Sequence, residues 1–136
     1  MTTLNPPRRN DRVAWLITRV LLSLVFLSSG LAKLFDFQGG MADMQSAGLH
    51  PAWLFNLTTA AVLLAGAALI LLDRWMMVAA VGLSLFLLGT IVLVHHFWSL
   101  SGEPAQHALF FALEHLSLIG GLLAAAHASS SRRQPG

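Results

Sequence analysis

The sequence predicts an all-α fold: an integral membrane four-helix bundle, antiparallel, with both termini cytoplasmic. Three observations predict it. Four apolar stretches, 13–34, 54–72, 75–98 and 107–127, fill most of the 136 residues, and each is close to the ~20 residues that cross a ~30 Å hydrocarbon layer. Charged residues make up 10% of the chain against 56% hydrophobic; a soluble domain of this size could not hide four such helices in one core. Finally, Arg8, Arg9, Arg12, Arg74, Arg132 and Arg133 all fall in the two tails or between the second and third stretches, whereas the other connectors carry only Lys33, at a helix end. That bias puts both termini inside and 35–53 and 99–106 outside.

The elements follow in order. Residues 1–12 read as a polar, mobile cytoplasmic tail with Pro6 and Pro7. The transmembrane domain is 13–127. Its first span has the basic flank and the small residues (Gly30, Ala32) of a signal peptide, but it is longer than an ordinary apolar region of that kind and Arg19 interrupts it. It is therefore read as a retained span. In the polar connector 36–51, residues 41–47 predict a short interfacial helix ended by Gly48. Asp73 and Arg74 are the only polar break between spans two and three, which predicts a tight antiparallel hairpin. Ser101-Gly102-Glu103-Pro104 is a loop signal that also starts the fourth helix, with Pro104 in its first turn. Residues 128–136 form a second polar, basic cytoplasmic tail.

Composition removes several function classes. The chain has no cysteine and no tyrosine, so thiolate metal sites, disulfide exchange and tyrosyl chemistry are outside its reach. The net charge of +2 comes from arginines at the chain ends. It reads as topology signalling and headgroup contact with the lipid bilayer, with no nucleic-acid partner.

Each span carries a heptad-like stripe of small or polar residues: Arg19, Ser23, Phe26, Gly30 and Lys33 in the first and His107, Phe110, Glu114, Ser117 and Gly121 in the fourth, at three- and four-residue steps; Thr59, Gly66 and Asp73 in the second and Gly82, Gly89 and His96 in the third, seven apart. Such spacing puts each set on one face, where small residues let transmembrane helices approach and polar ones link them. Packing alone accounts for the glycines. The ionisable residues ask for more, because charge in lipid is costly and faces a bundle interior or cavity. Lys33, His96 and Glu114 are expected to converge in the outer half of the bundle, and His115, beside Glu114, is a fourth candidate ligand-binding residue. The bland alternative is a neutralised pair that fixes helix register. Arg19 is read as structural, either snorkelling to the inner headgroups or paired with a helix-end carbonyl, a lipid or another subunit. Arg74 is a topology determinant.

Six histidines raise the question of metal or haem. His96 with His115 or His107 would be the haem pair, yet no His-x-x-x-His or Glu-x-x-His spacing supports a metal site, so no metal ligands are assigned. A quinone fits better, since its reduction takes up protons that a Lys–Glu–His group can exchange.

The residues Arg19, then Phe26-Leu27-Ser28-Ser29-Gly30-Leu31-Ala32-Lys33-Leu34 and Phe35-Asp36-Phe37, with Gly89 to Trp98 and Phe110 to Gly121, resemble the DoxX family of small four-span bacterial inner-membrane proteins. The resemblance covers roughly residues 12–127. It implies a multi-pass protein of the bacterial inner membrane and suggests a role linked to quinone redox chemistry. The chain departs from the family at Leu63-Leu64, where members often carry a glutamate, and at Glu114-His115, where a Lys-Asn-like pair is common; a catalytic role for a span-two acid therefore does not carry over. Two functions follow: a quinone-linked redox accessory subunit, not catalytic alone, that binds a lipophilic ligand, or a non-enzymatic scaffold for another membrane complex. The expected partner is a membrane protein or a second copy of the chain.

Overall fold

The structure, a computed structural model, describes residues 6–134. The remaining tail residues, 1–5 and 135–136, lie outside the described residues. The described residues form five α-helices: α1 (Arg9–Phe35), α2 (Phe37–Ser46), α3 (Ala52–Leu71), α4 (Met76–Leu93) and α5 (Gly102–Arg133), with a 3-10 turn at Phe97–Ser99 before α5. Helices α1, α3, α5 and α4 with its following turn are each long and apolar enough to span a membrane. The all-helical four-span bundle expected from hydropathy is what the chain forms.

Helix ends follow local chemistry. Asp11 accepts a hydrogen bond from the backbone N–H of Arg8 at 3.1 Å; Asp11 lies in the first turn of α1 and Lys33 in the last, each at the end of the helix dipole that favours its charge. Helix α2 is a turn longer than the sequence predicts because Asp36 accepts from the Gly39 N–H at 3.0 Å and starts it early. It ends as expected at Gly48, whose φ is 75°. The Gly48 N–H donates to Gln45 O and the Leu49 N–H to Met44 O, both at 2.9 Å, the paired closure that a left-handed residue after a helix allows.

The hairpin between α3 and α4 closes in the same way, with a different residue at the left-handed position. The Asp73 N–H donates to Ile70 O and the Arg74 N–H to Leu69 O, and Asp73 has φ 51°. An L-residue there costs roughly 1–2 kcal/mol, a cost glycine would avoid.

Helix α1 packs chiefly on α3, and α4 chiefly on α5, with α3 and α4 joining the two pairs; α1 and α5 touch least. Two glycines permit this. A Cβ on Gly30 would lie 2.7 Å from the Leu64 side chain, and one on Gly66 would lie 2.7 Å from Leu83. The expected stripe on span three does not behave this way: Gly82 and Gly89 have nothing within 4 Å of a Cβ position, so that face of α4 meets no neighbour in the bundle.

The two ends of the bundle differ. At the hairpin end, Ala67, Ile70, Met76, Ala79, Ala80, Leu83, Leu122, Ala125 and Ala126 form a dense buried core with Phe26 and Leu63. At the other end, beneath α2, the helices part around an open interior.

Candidate ligand cavity

That interior is a cavity of about 510 Å³ between α1, α3, α4 and α5, within the range of small-molecule sites. Its walls are largely apolar, from Phe26, Leu63, Phe86, Leu87 and Phe111, and its polar groups are Ser29, Lys33, Asp43, Thr59, Thr90, His95 and His115. A smaller polar hollow of about 360 Å³ adjoins it, sharing Ser29, Lys33 and Asp43 and adding Asp36, Gly39 and Gly40. Helix α2 is thus the roof, and Lys33 stands where the polar hollow meets the apolar cavity.

Lys33 does not reach Glu114. Its ammonium lies 3.4 Å from the Asp43 carboxylate. The reason is local: α2 turns back directly after α1 and brings an acid within reach, while Glu114 faces Leu22 and Val25, more than two turns down α1 from Lys33. Asp43 is 72% exposed, so the pair is weak, on the order of 0–1 kcal/mol, and free to rearrange.

The roof is held from below by Asn56, a fully buried residue of α3. Its Nδ2 donates to the carbonyl oxygen of Lys33 at 3.0 Å, near the end of α1. Gly40 of α2 lies directly over it, so that a Cβ at residue 40 would overlap the carboxamide. One side chain therefore ties together α1, α2 and α3. Sequence reasoning passed over Asn56; the signal was there, a lone carboxamide in an otherwise apolar span.

His115 enters the cavity from α5. Its ring meets His95 edge-on at 4.9 Å, and His95 stacks on Phe111 at 5.0 Å. The Nδ1 of His115 is buried beside the backbone of Phe111, one turn earlier on α5.

His96 is placed otherwise than the sequence predicts. Helix α4 stops at Leu93, so the stripe through Gly82 and Gly89 does not continue to it. The chain leaves the helix with the His95 N–H on Thr90 O at 3.0 Å, and His96 Nδ1 turns to the Ser99 hydroxyl. It lines neither the cavity nor the polar hollow beneath α2. His95, beside it in sequence, is the residue that faces the cavity.

Glu114 likewise stands apart. It projects about 100° around α5 from His115, into a separate open groove between α1 and α5. The expected convergence of Lys33, His96 and Glu114 does not occur; Lys33, His95 and His115 share the cavity instead.

The hairpin end holds a second polar cluster. Asp73 accepts from Trp15 Nε1 at 2.8 Å and from the Ser129 hydroxyl at 2.8 Å, with Arg133 at 3.6 Å. Burial alone would raise the Asp73 carboxyl, but the hydrogen bonds from Trp15 and Ser129 and the charges of Arg19 and Arg133 outweigh it and hold the group below the usual carboxylate range. Arg19 donates to Leu71 O at 2.8 Å, capping α3, the helix-end alternative among those open for it. Arg74 is exposed, as a topology residue can be.

Among known proteins, the family model described as DoxX matches residues 14–96. The chain is similar to inner membrane protein YphA of Escherichia coli (strain K12), with 28% identity over 111 residues that cover 82% of this chain and 79% of that protein. No solved structure matches.

Proposed function

The chain belongs to the DoxX family, and from that premise we propose that it binds a quinone-class lipophilic molecule in the cavity beneath α2, as a redox accessory rather than an enzyme on its own. It is a multi-pass inner-membrane protein with four apolar spans, so a ligand held inside the bundle is one that partitions into lipid.

The observation that carries the reading is an apolar cavity of about 510 Å³ whose few polar groups include Lys33, His95 and His115, the two imidazoles in edge contact at 4.9 Å. A quinone head offers carbonyl oxygens that accept hydrogen bonds. His115 and the Lys33 ammonium can donate to such oxygens, and Phe86 and Phe111 give the ring an apolar seat. When reduced, a quinone takes up protons as well as electrons. His115, with His95 beside it, could hand on a proton inside the cavity, and the Lys33–Asp43 pair lies between the cavity and the polar hollow under α2. The electrons would come from a partner protein.

Purification with native lipids, followed by solvent extraction and mass analysis, tests the reading. Bound quinone is expected with the wild-type chain and should fall at least tenfold in His115→Leu, while Glu114→Gln, outside the cavity, retains it. If the wild-type protein carries no quinone yet co-purifies stoichiometrically with another membrane protein, the scaffold reading replaces this one.

A further inference from the structure

The groove between α1 and α5 has no part in the ligand reading. It measures about 590 Å³ and is lined by Leu22 and Val25 of α1 and by Phe110, Glu114, Ser117 and Gly121 of α5, among others. The α5 residues recur at four, three and four positions, so they share one face. This is the polar and small-residue pattern of a transmembrane helix interface. Yet α1 and α5 make the fewest contacts of the neighbouring helices, and no helix of the described chain fills the space between them.

Glu114 makes the vacancy chemically specific. It is exposed, and among the described residues it has no ion pair, while Ser117 beside it donates to Leu113 O of its own helix. Its depth excludes a lipid headgroup as the partner. It lies roughly 10 Å along α5 from His107 and roughly 20 Å from His127, the two ends of the fourth apolar stretch, and α5 runs on to Ser129 at the polar cluster of the hairpin end. Both interfaces are therefore out of reach. A carboxylate at mid-depth is costly in lipid unless something complements it there.

We propose that this groove docks a transmembrane helix of a partner protein that carries a basic side chain at mid-span, with Glu114 as the complement of that charge. Charge selects this partner over a second copy of the chain. In this chain Arg19 is engaged on α3, and Lys33 is enclosed beneath α2 with its side chain 18% exposed, so a second copy presents no mid-depth cation on its surface. The apolar sides of the groove seat the helix, and the small Gly121 and Ser117 let it approach.

The test uses the full chain in phosphatidylethanolamine–phosphatidylglycerol vesicles with synthetic leucine–alanine helices of about 20 residues, bearing either lysine or leucine at the central position. The chain has no cysteine, so Ser131→Cys provides a single fluorophore site for energy transfer to the labelled peptide. The lysine peptide is expected to associate at a density at least tenfold lower than the leucine peptide. Glu114→Gln should abolish that preference. Gly121→Leu, which fills the groove and leaves the carboxylate in place, should weaken it as well. The proposal is overturned if the lysine peptide binds no better than the leucine peptide, if its preference survives Glu114→Gln, or if Gly121→Leu leaves it intact. It is also overturned if labelled chains pair with one another through Glu114, since the occupant is then a second copy.

Discussion

At Asp73 a backbone cost and a side-chain gain meet. A glycine would relieve the left-handed conformation but would leave the Trp15 indole and the Ser129 hydroxyl without their acceptor. The side chain wins because hydrogen bonds to a charged group contribute roughly 1.5–3 kcal/mol each, more than the conformation costs. The Asp73 carboxyl lies below its ordinary range. Its contribution is therefore complete above the unfolded value near ~4 and is lost as pH falls through the lower folded value. The expected outcome is that wild-type stability, followed by tryptophan fluorescence during chemical unfolding in detergent, declines on the acid side of about pH 4, and that Asp73→Asn flattens that decline. An unchanged acid slope in the variant would show that the cluster is not its source. The sequence revealed Asp73 as a turn residue and Arg19 as an anomaly. It could not reveal their roles, because Trp15 and Ser129 lie 58 and 56 positions away from Asp73 and no local pattern links them.

The helices themselves were legible, because the period and length of apolar runs are local properties. Their ends were less so. Span three reads through to Trp98 by hydropathy, yet the helix stops at Leu93, and that difference decides whether His95 or His96 faces inward. Hydropathy does not register where a buried chain leaves its hydrogen-bond ladder. Helix α2 was foreseen as a short interfacial segment; its role as a roof was not, since that depends on the contact of Gly40 with Asn56. Gly40→Ala is expected to destabilise the protein by about 1–3 kcal/mol through overpacking. Asn56→Ala should cost a similar ~1–3 kcal/mol by removing a buried donor. The double variant should cost less than the sum, because each change removes the other's cause. A double-mutant cycle on unfolding midpoints measures this, and strict additivity would mean that the roof does not rest on Asn56.

For the molecule as a whole, the arginine distribution sets the expected orientation. Phosphatase fusions after Gln45 and after Gly102 should be active on the outer side, and a fusion at residue 136 should be inactive; activity there would reverse the orientation. In that orientation the dense half of the bundle faces the cytoplasm and the cavity opens toward the outer surface. The candidate site was legible in its general position, at the end of the bundle that carries Lys33, and in two of its residues, Lys33 and His115. Glu114 and His96 were misplaced because helical spacing gives a face but not which neighbour that face meets. Both His115 and Glu114 lie on α5, and the choice between cavity and groove depends on how α1 and α5 pack.

Arg19 adds an order in time. Its acceptor, Leu71 O, lies 52 residues downstream, so a ribosome adding roughly 5–20 residues per second needs about 3–10 s to supply it. During that interval the first span must hold an unmatched guanidinium, at the membrane edge or against the insertion machinery. Asp73 then waits longer still, until Ser129 and Arg133 have been made. The hairpin end works as a latch that closes only when the last helix arrives, and a nascent chain interrupted before that point would present the cell's quality control with an open carboxylate and an unsecured bundle.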